Sequence, residues 1–188
     1  AGNSYSGSVK CKFSVVRYGN VMGSRGSVIP YFINKAKEIN KNIPITSDKM
    51  TRFNISLIDG VNMVMWTLGN SFGGEILIPK IPSYKITDLA EAIAPSCKKE
   101  IIGIREGEKI HEDLITSSES FSTIDIGNYY VILQDPKNDI SKYKKKFKFC
   151  KRVNEGFEYN SGTNENFLSV SELRALIKLH VDQKFQPV

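Results

Sequence analysis

Twelve consecutive residues constrain the fold more than any other stretch: Arg17-Tyr18-Gly19-Asn20-Val21-Met22-Gly23-Ser24-Arg25-Gly26-Ser27-Val28. The apolar run Phe13-Ser14-Val15-Val16 before them reads as the heart of a buried strand over Lys12 to Tyr18. A helix is predicted to open at Val28, capped by Ser27, and to run to about Asn40. A Gly-rich loop carrying Ser and Arg joins that strand to that helix. It also suits a phosphate-bearing ligand: glycines let backbone N–H groups approach, the helix N-terminus offers unpaired donors, and Arg25 adds a charged fork.

The same string contains two imitations of other chemistry. Gly19-x-x-x-Gly23-x-x-Gly26, with Asp48 about 20 residues on, resembles a dinucleotide fingerprint. Its glycine spacing differs from G-x-G-x-x-G, however, and Pro30 and Tyr31 crowd the helix start. Tyr31-Phe32-Ile33-Asn34-Lys35 is formally Tyr-x-x-x-Lys, but no Ser or Thr partner precedes it, so these aromatics are expected to pack.

Further along, Ile43 to Thr46 and Thr51 to Ile55 read as short extended segments, and Ser56 as the cap of a helix reaching Leu68. Val61, Val64, Met65 and Leu68 share one face of that helix, with Trp66 near its edge, and are expected in the core. Glu75 to Pro79 reads as a strand after the Gly73-Gly74 break. Thr87 is placed as cap of a helix through Ala94 that Pro95 stops. Glu100 to Ile104 is read as a strand, Glu108 to Leu114 as a short helix, and Tyr129 to Leu133 as the last clear strand. Ser169, with Glu172 three positions on, forms a capping box for a terminal helix from Val170 to about Lys178.

Composition excludes several classes. An apolar fraction of 40% and a charged fraction of 24% are those of a globular chain. No run approaches the roughly 18 apolar residues of a membrane span. Three widely spaced cysteines (Cys11, Cys97, Cys150) read as reduced structural thiols, and two histidines build no convincing metal site. The formal charge of +6 is concentrated in Lys142-Tyr143-Lys144-Lys145-Lys146-Phe147-Lys148-Phe149-Cys150-Lys151-Arg152. Such a run could track a nucleic-acid backbone. The period-two pattern of Lys146 to Phe149 favours instead a half-buried strand with a solvated face.

The Arg17–Val28 string and three later segments together resemble the nucleotide-sugar 4,6-dehydratases of the extended short-chain dehydrogenase/reductase superfamily. The inverting UDP-N-acetylglucosamine 4,6-dehydratases are the best match. The segments are Ile43-Pro44-Ile45-Thr46 with Met50-Thr51-Arg52-Phe53, Gly74-Glu75-Ile76-Leu77-Ile78-Pro79-Lys80, and Ile102-Gly103-Ile104-Arg105-Glu106-Gly107-Glu108-Lys109-Ile110-His111-Glu112. The resemblance runs from about residue 9 to residue 116, and Tyr159 to Asn164 resembles the family's tail. It implies the C-terminal part of an extended Rossmann-like fold, comprising the last strands and a substrate-binding lobe, without the dinucleotide-binding half. The polar lead Ala1 to Ser8 resembles the residues that follow the catalytic helix, so the chain is expected to belong to a longer polypeptide. Expected divisions are 1–27 as the end of the Rossmann-type core, 28–117 as the UDP-sugar lobe and 118–188 as an appendage.

By the same resemblance, Asn20 hydrogen-bonds diphosphate or sugar, while Val21, Met22, Gly23 and Ser24 line the pocket floor. Arg25 holds phosphate or caps the loop. Val28 and Thr46 face the uridine, Arg105 grips the diphosphate, and Glu108 accepts from the ribose hydroxyls. Arg105 and Glu108 could instead pair with each other, Asn20 could be a turn-former, and Thr46 a strand-edge residue. Arg52 faces the pocket or is structural, and Lys80 is weakly placed near the sugar. Glu106 stands where the family usually has Pro. Tyr18 and Gly19 are the only cofactor-contact candidates, and no catalytic or metal-binding residue is assigned within the chain. The implied enzyme uses NADP to make a UDP-4-keto-6-deoxy sugar for polysaccharide synthesis, is cytoplasmic, and is a homo-oligomer at full length. Alternatives are a UDP-sugar 4-epimerase or a non-catalytic nucleotide-sugar-binding module. No nucleic-acid or membrane partner is expected.

Overall fold

Parallel strand pairs need long crossovers, and this chain makes three of them, each joining stretches far apart in sequence. The computed structural model describes residues 11–39, 41–137 and 139–188; the polar lead and the expected helix end at Asn40 lie outside them. The chain divides into two units, each interleaved from three stretches.

The first unit contains residues 11–18, Ile58–Lys80 and Asp113–Asn160. Its five-stranded sheet has the order β1 (Val15–Val16), β5 (Ile76–Pro79), β10 (Tyr129–Ile132), β9 (Thr123–Asp125), β11 (Lys151–Arg152). β1 runs parallel to β5, and the remaining pairs are antiparallel. Leu77, Ile124 and Val131 are buried beneath Met63 of α2 (Leu57–Asn70) and Tyr143 of α4 (Asp139–Lys146). The buried Glu75 carboxylate anchors the start of β5, accepting from Ser14 Oγ at 3.2 Å and the Phe72 N–H at 2.7 Å. Arg17 donates to the Leu114 carbonyl and the Glu119 carboxylate, both at 2.9 Å. A two-stranded ribbon of β8 (Asp113–Ile115) and β12 (Tyr159–Asn160) completes this unit.

Four expectations are corrected here. The apolar stripe of α2 is not core: Val61, Val64, Met65 and Leu68 are exposed, Leu68 by 74%. The helix instead buries Gly60, Met63 and Thr67, and Trp66 stacks on Tyr129 with ring centroids 4.2 Å apart. The stretch Lys146 to Phe149 is not a strand. Tyr143 and Phe147 stack four residues apart, so the governing period is helical; Asp139 and Lys142 pair at 2.7 Å in the first turn of α4. Glu108 to Leu114 is not a helix but an irregular stretch that bends at Ile110 and His111 and leads into β8, because its carbonyls and N–H groups are taken by other stretches. Tyr129 to Leu133 is also followed by two further short strands, β11 and β12.

The second unit contains Gly19–Leu57, Ile81–Glu112 and Ser161–Val188. One sheet orders β2 (Asn20–Val21), β4 (Thr51–Ile55) and β6 (Ser83–Lys85); another pairs β3 (Asn42–Ile45) in parallel with β7 (Lys98–Ile101). Ile43 and Ile45 alternate inward from β3. Helix α3 (Ile86–Ile93) buries Ile86, Leu89, Ala90, Ala92 and Ile93, its small alanines allowing close approach of α1 (Val28–Ala36) and α5 (Val170–His180). The expected capping box at Ser169 and Glu172 is present, with Ser169 Oγ 3.3 Å from the Glu172 N–H and the Glu172 carboxylate 2.8 Å from the Ser169 N–H.

Two other expected caps differ. Ser27 is the residue before α1 and is extended, but its hydroxyl makes no capping bond and is buried without a partner among the described residues. Thr87 lies inside the first turn of α3, which Lys85 precedes as cap. The expected strand from Lys12 is shorter, with β1 and β2 separated by Arg17 to Gly19, because Gly19 packs directly against Phe53.

Candidate functional site

The second unit encloses a cavity of about 350 Å³. Its wall is built where β2 begins, where α1 starts, along β3 and β4, and by the stretch after β7. Six of the expected site residues reach it: Asn20, Val28, Thr46, Arg52, Arg105 and Glu108. They come from three stretches, around 20–28, 46–52 and 105–108, and the fold brings them together. Apolar contributions from Phe32, Met50, Ile86 and Ile102 make the other part of the wall.

The remaining expected residues are placed elsewhere. Val21 pairs with Ile55, and Met22 is buried in the core beside α1. Gly23 has φ +72 and lies against Val181, where a Cβ would stand 2.8 Å from the Val181 methyl. Ser24 shapes a turn, donating to Val21 O at 3.2 Å and accepting from Ser27 N–H at 3.0 Å; Arg25 is exposed in that turn. Lys80 belongs to the first unit, where it meets Asp125 at 2.8 Å and lies 4.6 Å over the Tyr130 ring.

Charge at the wall is organised around Arg52, whose side chain is only 12% exposed. Its guanidinium donates to the carbonyls of Thr51 at 2.7 Å and Ile110 at 3.1 Å. It also faces the carboxylates of Glu108 at 3.9 Å and Glu112 at 3.5 Å. Glu108 therefore pairs with Arg52 and accepts from Thr46 Oγ1 at 3.3 Å. Its carboxylate meets Arg105 at the backbone N–H, 3.4 Å away, and the exposed Arg105 guanidinium has no ion pair among the described residues. A turn closed by Glu108 N–H to Arg105 O at 3.0 Å orients this segment, with Gly107 supplying φ +77. Glu106 occupies the turn position that Pro often favours, and the turn closes without it.

Glu112 is a residue that sequence reasoning quoted but did not assign. The Asn20 amide, in the orientation that satisfies both its ends, donates to the two Glu112 oxygens at 3.0 and 2.8 Å. Burial pushes the Glu112 carboxyl above its ordinary range, and the Arg52 charge only partly offsets this. Burial likewise raises the Tyr84 hydroxyl on β6. The signal for Glu112 was its position four residues after Glu108 in a segment rich in charge. Tyr31 was also misjudged: Phe32 packs in the core, whereas Tyr31 is exposed at the cavity wall.

The glycines of the Gly19–Gly26 imitation do not form a dinucleotide cradle. A Cβ at Gly19 would run into Phe53, and Gly23 is occupied by Val181, so both serve packing. Among the described residues no group of three His, Cys, Asp or Glu side chains could hold a metal ion. No helix there is long and apolar enough to cross a membrane.

A family model described as "Polysaccharide biosynthesis protein" matches residues 1–134. The chain belongs to that family. Among its relatives is a "UDP-N-acetylglucosamine 4,6-dehydratase (inverting)" of Campylobacter jejuni subsp. jejuni serotype O:23/36 (strain 81-176). It is 47% identical over 182 residues, covering 94% of this chain and 54% of the relative. A "UDP-glucose 4-epimerase" of Rickettsia bellii (strain OSU 85-389) is 39% identical, covering 89% and 50%. The X-ray structure of Pen from Bacillus thuringiensis is similar with a TM-score of 0.77 and 34% identity, over 93% of this chain and 52% of that one. The expected α/β class, part of an extended short-chain dehydrogenase/reductase fold, is thereby met. This family member spans about half the length of the curated relatives it matches.

Proposed function

We propose that the cavity of the second unit receives the nucleotide end of a UDP-sugar. In this reading the chain is the substrate-binding part of an NADP-dependent UDP-N-acetylglucosamine 4,6-dehydratase, inverting at C5. The observation that carries the reading is the convergence of Asn20, Val28, Thr46, Arg52, Arg105 and Glu108 on one half-apolar cavity. A uridine diphosphate carries two phosphates, a ribose and a flat ring, and needs a cation, an acceptor and apolar walls together. Arg105 supplies the unpaired cation for phosphate, Glu108 accepts from ribose hydroxyls, and Val28 with Thr46 borders the base. Arg25, in the turn before α1, is available to the diphosphate but does not line the cavity.

NADP, held mainly by polypeptide outside these residues, would supply hydride transfer when bound; this chain's share is to bind and orient the sugar nucleotide. The product would be a UDP-4-keto-6-deoxy sugar for surface glycan synthesis, and a cytoplasmic homo-oligomer belongs to the same proposal. The chain by itself is expected not to turn over UDP-N-acetylglucosamine. The Rickettsia similarity favours a second reading, a UDP-sugar 4-epimerase with the same nucleotide cavity. The product formed by the longer polypeptide separates the two: a 4-keto-6-deoxy sugar or a C4 epimer.

The binding claim is tested by calorimetric titration of UDP into the chain. Saturable binding is expected, and Arg105→Ala should weaken it roughly ten- to a hundredfold, the worth of one hydrogen-bonded charge contact. Absence of binding at millimolar UDP, or an unchanged affinity in the variant, would remove the nucleotide reading.

A further inference from the structure

Three polar side chains lie behind the cavity wall and have no part in the binding roles above. Thr51 Oγ1 is 2.8 Å from His111 Nδ1 and 2.7 Å from Ser161 Oγ. Ser161 is fully buried and Thr51 nearly so. We propose that Thr51, His111 and Ser161 form a positioning cluster that fixes the 104–112 stretch against β4 and thereby sets Arg52, Glu108 and Glu112 at the cavity. The functional part of this proposal rests on the nucleotide reading of that cavity.

The cluster joins three stretches of chain that share no sequence proximity. Ser161 holds Glu112 from both sides: its N–H donates to the Glu112 carbonyl at 2.8 Å, and its hydroxyl accepts from the Glu112 N–H at 2.9 Å. The Thr51 N–H donates to the Ile110 carbonyl at 3.0 Å, and the Arg52 guanidinium donates to that same carbonyl. Gly162 lies flat against the imidazole, where a Cβ would stand 2.6 Å from Nδ1. Any larger residue there would push His111 off Thr51.

Counting protons gives the direction of the chain. Two hydroxyl protons serve three close approaches, two short and one, from Ser161 Oγ to the Thr51 carbonyl, of 3.3 Å. If Nδ1 accepts, Ser161 donates to Thr51 and Thr51 donates to His111, which fills both short contacts and leaves the third without a proton. If Nδ1 donates, Thr51 donates to Ser161 and Ser161 to the Thr51 carbonyl, so all three contacts are filled. The geometry therefore assigns Nδ1 as a donor, a role an amide N–H can imitate. A buried polar relay of this kind specifies position, where an apolar cluster would only fill space.

The experiment compares His111→Leu, His111→Asn and Ser161→Ala in the full 188-residue chain. Amide hydrogen exchange is read across residues 105–112, and UDP affinity is read by calorimetry. His111→Leu and Ser161→Ala should speed exchange in that stretch and weaken UDP roughly tenfold or more, since small misplacements of binding groups are costly. Combining the two should add little to either alone. His111→Asn, with its Nδ2 near the Nδ1 place, should restore both readouts. Unchanged exchange in the Leu and Ala variants overturns the cluster. Faster exchange with unchanged affinity overturns its positioning role and leaves only a structural one. An Asn variant as poor as Leu overturns the donor assignment. A parent chain that does not bind UDP removes the nucleotide reading instead, while the exchange arm still decides the cluster. Should the Leu variant not fold, Ser161→Ala and His111→Asn carry the same decision.

Discussion

The two units are assembled in the same manner, from three stretches each, yet they treat their helices oppositely. In the second, α3 is buried on nearly every side, with Leu89 fully enclosed between α1 and α5. In the first, α2 carries an equally regular apolar stripe and leaves it in solvent, together with Phe13 and Val15 at the β1 edge of the sheet. Periodicity is identical evidence in both cases. It establishes that a helix has an apolar face, and it is silent about whether described chain covers that face.

The largest test of this contrast is truncation. Leu89→Ala should cost about 2–5 kcal/mol, because it leaves a cavity among tightly packed helices. Leu68→Ala should stay within about 0.5 kcal/mol, as a change on an exposed helix face. Urea unfolding of both variants decides; a Leu68 cost approaching that of Leu89 would mean that the α2 stripe is buried in solution.

A smaller effect is expected where the units agree. Each has one capping box: Thr116 with Glu119 in the first and Ser169 with Glu172 in the second. Thr116→Ala and Ser169→Ala should each cost about 1 kcal/mol. Ser27→Ala should cost nearly nothing, since that hydroxyl makes no cap bond. Parallel thermal melts of the three variants would show the order, and a costly Ser27→Ala would restore it as a true cap.

The smallest effect is a difference in sign with pH. Burial pushes the Glu119 carboxyl up, but the Thr116 N–H and the Arg17 guanidinium outweigh it and hold it below its ordinary value of 4.5. Its contribution is present above pH 4.5 and lost as pH falls through the lower folded value. Glu112 is held above 4.5, so its contribution is full below that value and lost as pH rises through the folded one. Glu119→Gln should therefore flatten the acid side of the stability curve. Glu112→Gln should remove a loss on the neutral side. Solvent screening keeps the Glu119 effect at about 0.5 kcal/mol or less. Denaturant midpoints from pH 3 to 7 check both, and slopes of equal sign would break the comparison.

Much of the second unit was legible in sequence because its signals are local. The capping box before α5 and Pro95 after α3 each act over a few residues, and these elements, with the short extended segment Thr51 to Ile55, appear at or within a few residues of their expected places. The six expected residues that line the cavity came from another source, the resemblance of ordered motifs, and their binding roles belong to the proposed function. The helix expected over Glu108 to Leu114 failed because Ile110 and Glu112 give their backbone groups to Thr51 and Ser161, partners that no local rule can see.

Sequence by itself determined the α/β class, the strand–loop–helix opening and the family. These follow from short-range sterics, hydrophobic period and motif order. Tertiary structure alone decided that Arg52 sits between Glu108 and Glu112, that Asn20 turns to Glu112, and that Ser161 closes the back of the site from the far end of the chain. Those facts depend on which distant groups meet in a low-dielectric interior, where an unpartnered charge or hydroxyl is costly. Only the folded chain shows which partners are within reach.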